Sequence, residues 1–261
     1  MSSLLTNVFL DVMNTKYRGK PLRIRDLRCK LPLEETRDGG TRLVLHDAEG
    51  NDVYRLTVSP DDDPQNPRTD WDQITRMFCW HRNYAMGDPS PNHSRQSFRC
   101  WEWDDRFKDA DQIIAEFGPG VVRPLYLMDH SVISISTGPF NCPWDSGQVG
   151  WIYISYDAAN KLLVDKPLKN PERSKTLHKK ILKCFDCDVQ VYDQYLRNDV
   201  WQYLVEACEP CHLCRHVDWT TVDSCCGIYG FDDCLSEALT VLRNLVETSL
   251  ANRGDLLQNN P

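Results

Sequence analysis

The sequence lacks the short motifs that would assign a function directly. It has no G-x-G-x-x-G, no phosphate-binding loop, no G-x-S-x-G and no H-E-x-x-H. These motifs are typical of dinucleotide binding, nucleotide binding, serine hydrolysis and zinc proteolysis, so none of these classes has motif support. The chain also lacks internal repeats, low-complexity tracts and heptads.

Long apolar runs and a basic leader are missing as well. No segment approaches the ~20 apolar residues that a membrane span requires. The N-terminal apolar residues are interrupted by Asn7, Asp11 and Asn14, and no basic segment precedes them, which is unlike a signal peptide. We therefore expect no membrane partner and a cytoplasmic location.

Excess positive charge is a further absence. The formal net charge is −8 at pH 7, whereas phosphate-backbone binding depends on clustered Lys and Arg. Nucleic acid is therefore not expected as the sole partner. The chain has 261 residues, is 41% hydrophobic and contains 8 Trp, which is enough for one large domain or two small ones with a true core.

The hydrophobic patterns predict an α+β fold of antiparallel hairpins with a few packed helices. Alternating residues predict a hairpin around 48–51, strands within 121–140 and 149–156, and strands within 189–204 and 216–230. Helices are predicted at 107–117, 157–164, 174–185 and 232–250, the last with an apolar face. The predicted organisation is a β-rich region at 1–165, followed by a three-stranded meander and C-terminal helix at 174–261, unless the two form one continuous domain.

The cysteines suggest a structural zinc site. Most of the 12 cysteines lie between Cys184 and Cys234, and structural disulfides are not expected in a reducing compartment. Two C-x2-C pairs would supply the tetrahedral thiolates that Zn²⁺ prefers. If 189–204 formed a hairpin, its ends would bring these pairs together. The predicted ligands are Cys184, Cys187, Cys208 and Cys211, with Cys214 and His216 as alternates; the competing interpretation is a set of reduced, partly buried thiols.

A second, scattered set of side chains could carry catalysis. A nucleophilic cysteine needs a base that holds it as the thiolate. Cys79 or Cys142 could be paired with His81 or His130, near Asp129 and Asp145. The competing interpretation is that Cys79 is a core residue, that each histidine bonds locally, and that Asp129 and Asp145 set turns.

Three long blocks of the sequence resemble a known family. They are NPRTDWDQITRMFCWHRNYAMGD, LYLMDHSVISISTGPFNCPWDSGQVGWIYIS and YDQYLRNDVWQYLVE with VDSCCGIYG. In this order they resemble a widespread family of accessory proteins of bacteriophages, prophages and mobile elements. The resemblance implies action in the host cytoplasm by protein binding. The sequence departs from the family at Cys225–Ile228, where an aromatic pair is usual, and in the inserted CEPCHLCRH.

Three functions follow as hypotheses. The first is inhibition of a host defence system, of the anti-CRISPR or another anti-defence type, by binding a host or defence protein, with loops 61–72 and 86–97 as contact surfaces. The second is a Cys/His/Asp-dependent hydrolase or nucleotide-modifying enzyme. The third is a zinc-stabilised module associated with nucleic acid.

Overall fold

The fold is α+β, as the sequence predicts. The computed structural model describes residues 16–17, 20–21, 34–46, 52–81, 83–89, 107, 109–210 and 217–258. The strands in these ranges are β1 (Lys16–Tyr17), β2 (Lys20–Pro21), β3 (Glu34–Glu35), β4 (Thr41–His46), β5 (Asp52–Pro60), β6 (Arg76–Cys79), β7 (Gly120–His130), β8 (Val132–Ser136), β9 (Ser146–Ser155), β10 (Val200–Pro210) and β11 (Val217–Tyr229). The helices are α1 (Ala110–Phe117), α2 (Tyr156–Leu162), α3 (Lys175–Leu196) and α4 (Phe231–Gln258), and a 3₁₀ turn spans Pro171–Arg173.

The chain divides into two compact units at positions other than those predicted. The first unit comprises Met1–Pro64 and Asp199–Pro261, and the second comprises Gln65–Asn198. The predicted boundary near 165–173 lies inside the second unit, between α2 and α3. The first unit joins distant parts of the chain because β5 pairs with β10, with Leu56 opposite Val205.

The first unit is an antiparallel sheet with a helix on one face. The strand order is β11-β10-β5-β4-β3. Alternate residues of β4, β5 and β10, such as Leu43, Val58 and Val205, pack against Leu235 and Leu239 of α4. This apolar face of α4 confirms the C-terminal helix that the sequence predicts.

The second unit is a four-stranded antiparallel sheet with apolar residues on both faces. Its strand order is β6-β9-β7-β8. One face packs against α3, and the other packs Phe78 and Tyr153 against Phe107 and Ile113 of the α1 region. Helix α3 begins where the Ser174 hydroxyl accepts the Leu177 N–H at 3.2 Å, a cap worth about 1 kcal/mol.

The prediction of a strand at the start of 189–204 is wrong, because α3 continues through this part of the chain to Leu196. Buried side chains follow one another every three or four positions along α3, at Leu177, Ile181, Phe185, Val189 and Tyr192. The helix buries this stripe against the sheet, which outweighs the short alternation of Val189 and Val191. The predicted three-stranded meander is therefore a helix followed by the β10–β11 hairpin.

Within the described ranges, no helix combines the length and the apolarity that crossing a membrane would require.

Candidate functional site

A cleft of about 480 Å³ lies at one end of the sheet of the second unit. Leu127 and Val149 are both buried in the core of the unit and supply apolar lining. The other lining residues lie at strand ends and in the preceding turns, and they are Trp80, His81, Asp129, Trp144, Asp145, Ser146, Gly147 and Gln148. The cleft therefore combines an apolar base with aromatic and acidic side chains.

Strand pairing brings these residues together. Strand β6 ends opposite Gly150 of β9, so Trp80 and His81 follow directly at this edge. The backbone N–H of Trp80 donates to the Val149 carbonyl at 2.8 Å. Strand β7 ends beside the start of β9, where Met128 pairs with Ser146. The three strand ends thus meet at one edge of the sheet.

The turn before β9 is held by hydrogen bonds from both sides. The Ser146 hydroxyl donates to the Cys142 carbonyl at 2.5 Å. The backbone N–H of Asp129 donates to the Asp145 carbonyl at 2.8 Å, which ties the turn to β7. The Asp145 carboxylate lies 3.4 Å from the Cys142 sulfur and 3.1 Å from Nδ1 of His130. This turn therefore holds Trp144 on a braced backbone.

Trp144 is 92% exposed. The other exposed large hydrophobic side chains among the described residues are at most 55% exposed. A tryptophan in water forgoes the burial that makes its large ring stabilising. The ring therefore lies in solvent on a hydrogen-bonded turn beside the cleft, where it is accessible to another molecule.

The structure brings together only part of the predicted catalytic set. Cys142, His130 and Asp145 form one cluster, in which the carboxylate lies between the thiol and the imidazole. His81 lines the same cleft and stacks on Tyr84, with ring centroids 4.8 Å apart. Cys79 has no exposed surface and packs in the core with residues of α3.

The order of groups in the cluster is unfavourable for a cysteine nucleophile. A catalytic cysteine is activated by a base or a cation at the sulfur. Here the Cys142 thiol faces the Asp145 carboxylate, and a thiolate would be repelled by it. The hydrogen bonds of the cluster instead stabilise the turn.

The predicted zinc ligands lie on different secondary-structure elements or outside the described residues. Cys184 and Cys187 lie one turn apart on α3, and Cys208 lies on β10. Cys211, Cys214 and His216 fall outside the described residues. The hairpin that was expected to join the two C-x2-C pairs is replaced by α3, so the geometric argument for a zinc ribbon is lost.

The described part of the chain contains no group of three or more His, Cys, Asp or Glu side chains arranged to hold a metal ion. Burial, followed by the nearby Asp188 and Cys187, raises the pKa of Cys184 to about 12. A zinc ion would have to offset this preference for the protonated thiol. Zinc binding stays a prediction.

The loop 61–72 is shaped by its own carboxylates. Asp61 accepts the backbone N–H of Asp63 at 3.1 Å and that of Gly227 at 2.8 Å. Asp70 accepts the backbone N–H of Asn66 at 2.8 Å. Trp71 is 38% exposed and donates its indole N–H to Gln65. Much of the second expected contact loop, 86–97, falls outside the described residues.

Sequence reasoning missed the aromatic members of the cleft. Neither Trp80 nor Trp144 is among the candidate site residues that the sequence predicts. The available signal was the position of Trp144 between Pro143 and Asp145, in turn chemistry that precedes the alternating strand. A tryptophan in such a turn is not placed in the core by strand alternation.

Comparisons of this chain with protein-family models, with curated proteins and with solved structures find no match.

Proposed function

We propose that this chain acts by binding another protein at the cleft, with Trp144 as the central anchor. The observation that carries the proposal is the 92% exposure of Trp144 on a braced turn beside a cleft of about 480 Å³. Tryptophan is enriched among the residues that dominate binding energy at protein interfaces. A pre-formed turn also lowers the ordering cost of association.

The resemblance to phage accessory proteins suggests the class of partner. Under this proposal the partner is a host protein that belongs to a defence system. Binding of this chain inhibits that partner. The net charge of −8 supports a partner whose contact surface is basic, because complementary charge favours encounter. This part of the proposal rests on the resemblance and on charge.

A hydrolase or nucleotide-modifying enzyme has less support. The Cys142–Asp145–His130 cluster places the weakly basic, negatively charged carboxylate of Asp145 at the sulfur, in the position that an activating imidazole would need. Binding is favoured because the same hydrogen bonds present Trp144 to solvent.

Site-specific photo-cross-linking tests the proposal. The photoreactive residue p-benzoylphenylalanine replaces Trp144 in one variant and Leu162 in the control. Leu162 is 55% exposed and lies in the same unit. We expect a discrete adduct in host cells from position 144 and none from position 162. Unlabelled protein should compete for this adduct, and a Trp144→Ala variant should compete poorly.

Several outcomes would contradict protein binding at the cleft. One is the absence of any adduct from position 144 across the relevant hosts. Another is an equal adduct from both positions, which would indicate non-specific labelling. A third is equal competition by the Trp144→Ala variant, which would place the interface elsewhere.

A further inference from the structure

The charge of the cleft is one-sided. Asp129 and Asp145 line it, and no lysine or arginine occurs among its described lining residues. Asp145 is engaged by Cys142 and His130. Within the described chain, the carboxylate of Asp129 has no hydrogen bond or ion pair, although its backbone N–H is bonded to Asp145. The cleft therefore offers an unpaired negative charge.

The aromatic rings of the cleft complement this charge. Trp80, His81 and Trp144 line the same space as Asp129. The face of an indole ring carries negative electrostatic potential and attracts a cation placed over it. Tryptophan is the strongest aromatic partner for this interaction. Indole rings beside a free carboxylate are typical of a receptor for a positively charged group.

Resting on the proposed function, we propose that the cleft receives an arginine side chain of the protein partner. A guanidinium is planar, so it stacks on an indole face while its N–H groups form paired hydrogen bonds to a carboxylate. In this arrangement Trp144 supplies the stacking surface and Asp129 accepts the hydrogen bonds. Leu127 and Val149 of the apolar base contact the methylene groups of the arginine.

Lysine fits the cleft less well. Its ammonium is a compact and strongly hydrated point charge, which lacks the flat surface that stacks on tryptophan. We therefore expect the cleft to prefer arginine to lysine. The neutral isostere citrulline keeps the planar shape and loses the charge, which makes it the matched control ligand.

The test is a titration of the full chain, labelled with ¹⁵N, and followed through its indole N–H signals by NMR. The probes are blocked tripeptides with glycine on each side of arginine, lysine or citrulline. Single tryptophan variants assign the signals of Trp80 and Trp144. We expect the arginine peptide to shift both signals saturably, and the citrulline peptide to bind at least about tenfold more weakly. Added salt should weaken arginine binding.

Variants of Asp129 test whether its carboxylate binds the arginine side chain. Asp129→Asn should reduce affinity for the arginine peptide by about threefold or more, and Asp129→Glu should restore part of it. Asp165→Asn is the matched control, because Asp165 is exposed in the same unit but outside the cleft lining. This control should leave the affinity unchanged. Preserved chemical shifts elsewhere in the spectrum report that each variant is folded.

Three results would overturn the arginine site. The first is equal binding of the arginine and citrulline peptides. The second is an unchanged affinity in Asp129→Asn. The third is tighter binding of tetramethylammonium than of the arginine peptide, which would assign the cleft to a small free cation.

The two proposals fail in different ways. If the position-144 adduct forms equally in an Asp129→Asn background and the arginine titration fails, protein binding stands and the arginine site falls. If arginine binds but no adduct forms at Trp144, protein binding at the cleft falls.

Discussion

Replacing Arg68 by methionine should strongly destabilise the second unit. The Arg68 side chain is 1% exposed. Its guanidinium donates to the Asp88 carboxylate from Nε at 2.8 Å and also from a terminal nitrogen. The terminal nitrogen donates to the Thr75 carbonyl at 2.9 Å. Methionine has similar bulk and removes all of these bonds.

The expected loss of stability follows from the environment of the Asp88 carboxylate that remains in the variant. Removing one member of a buried ion pair typically costs about 3–5 kcal/mol, because the remaining charge loses much of the interaction that offsets its burial. The Asp88 side chain is 23% exposed, so water reaches it in part. We therefore expect the free energy of unfolding to fall by about 3 kcal/mol, at the low end of this range. In Arg68→Met/Asp88→Asn the loss should be smaller than the sum of the single losses, with a coupling of about 1–3 kcal/mol.

The loss of unfolding free energy in Arg68→Met should depend on pH. Burial raises the pKa of the Asp88 carboxyl, and Arg68 opposes this shift. Without Arg68 the pKa of Asp88 rises further, so the folded variant holds a proton at pH values where the unfolded chain has released it. A raised carboxyl pKa gives stability that is present at low pH and lost as pH rises through the folded-state value. The deficit of Arg68→Met should therefore shrink as pH is lowered from about 7 to about 5.

Urea unfolding, followed by tryptophan fluorescence, measures these free energies. Arg173→Met is the control, because the Arg173 side chain is 82% exposed and lies 4.0 Å from Glu172. The control should change stability by less than about 0.5 kcal/mol. A loss below about 1 kcal/mol in Arg68→Met, or strict additivity in the double variant, would refute the assignment of Arg68 as a buried structural cation.

Two further predictions concern thiols and backbone packing. Burial raises the pKa of Cys234 to about 12, so its thiolate fraction near pH 8 is about 10⁻⁴. Iodoacetamide should therefore label exposed Cys226 and spare Cys234 in the native chain. Comparable labelling of the two cysteines, measured by peptide mass spectrometry, would contradict this. A Cβ at Gly150 would lie 2.2 Å from the Phe78 carbonyl oxygen, whereas one at Gly147 would meet nothing within 4 Å. Gly150→Ala should therefore cost about 1–3 kcal/mol in urea unfolding and Gly147→Ala much less, and similar losses in both would be inconsistent with the close β6–β9 contact.

Local patterns predicted much of the secondary structure because turns and amphipathic faces are short-range signals. The alternation around 48–51 corresponds to β4 and β5. The helix predicted at 107–117 and α1 both end at Phe117, and the following Gly118 has a φ of 91° that favours glycine. The apolar face of α4 is equally local. Each of these features can be recognised within about 20 residues.

The division into units could not be predicted in this way. Strands β5 and β10 pair although Leu56 and Val205 are far apart in sequence. Both strands have the alternation of a half-buried sheet, which does not specify a partner. The gap at 165–173 between the two predicted regions lies inside the second unit, where the Asn160 side chain bonds both backbone groups of Leu168 and folds the segment back.

The catalytic hypothesis depended on convergence, and convergence alone was not sufficient to support it. The sequence suggested that Cys142, Asp145 and His130 could meet, and they do. The partner in each contact decides the chemistry, because a thiolate is favoured by an imidazole or a cation, whereas the group 3.4 Å from this sulfur is a weakly basic, negatively charged carboxylate. The same contacts brace the turn that holds Trp144 in solvent. Residues that suggest catalysis in the sequence thus hold a turn with an exposed tryptophan in the fold.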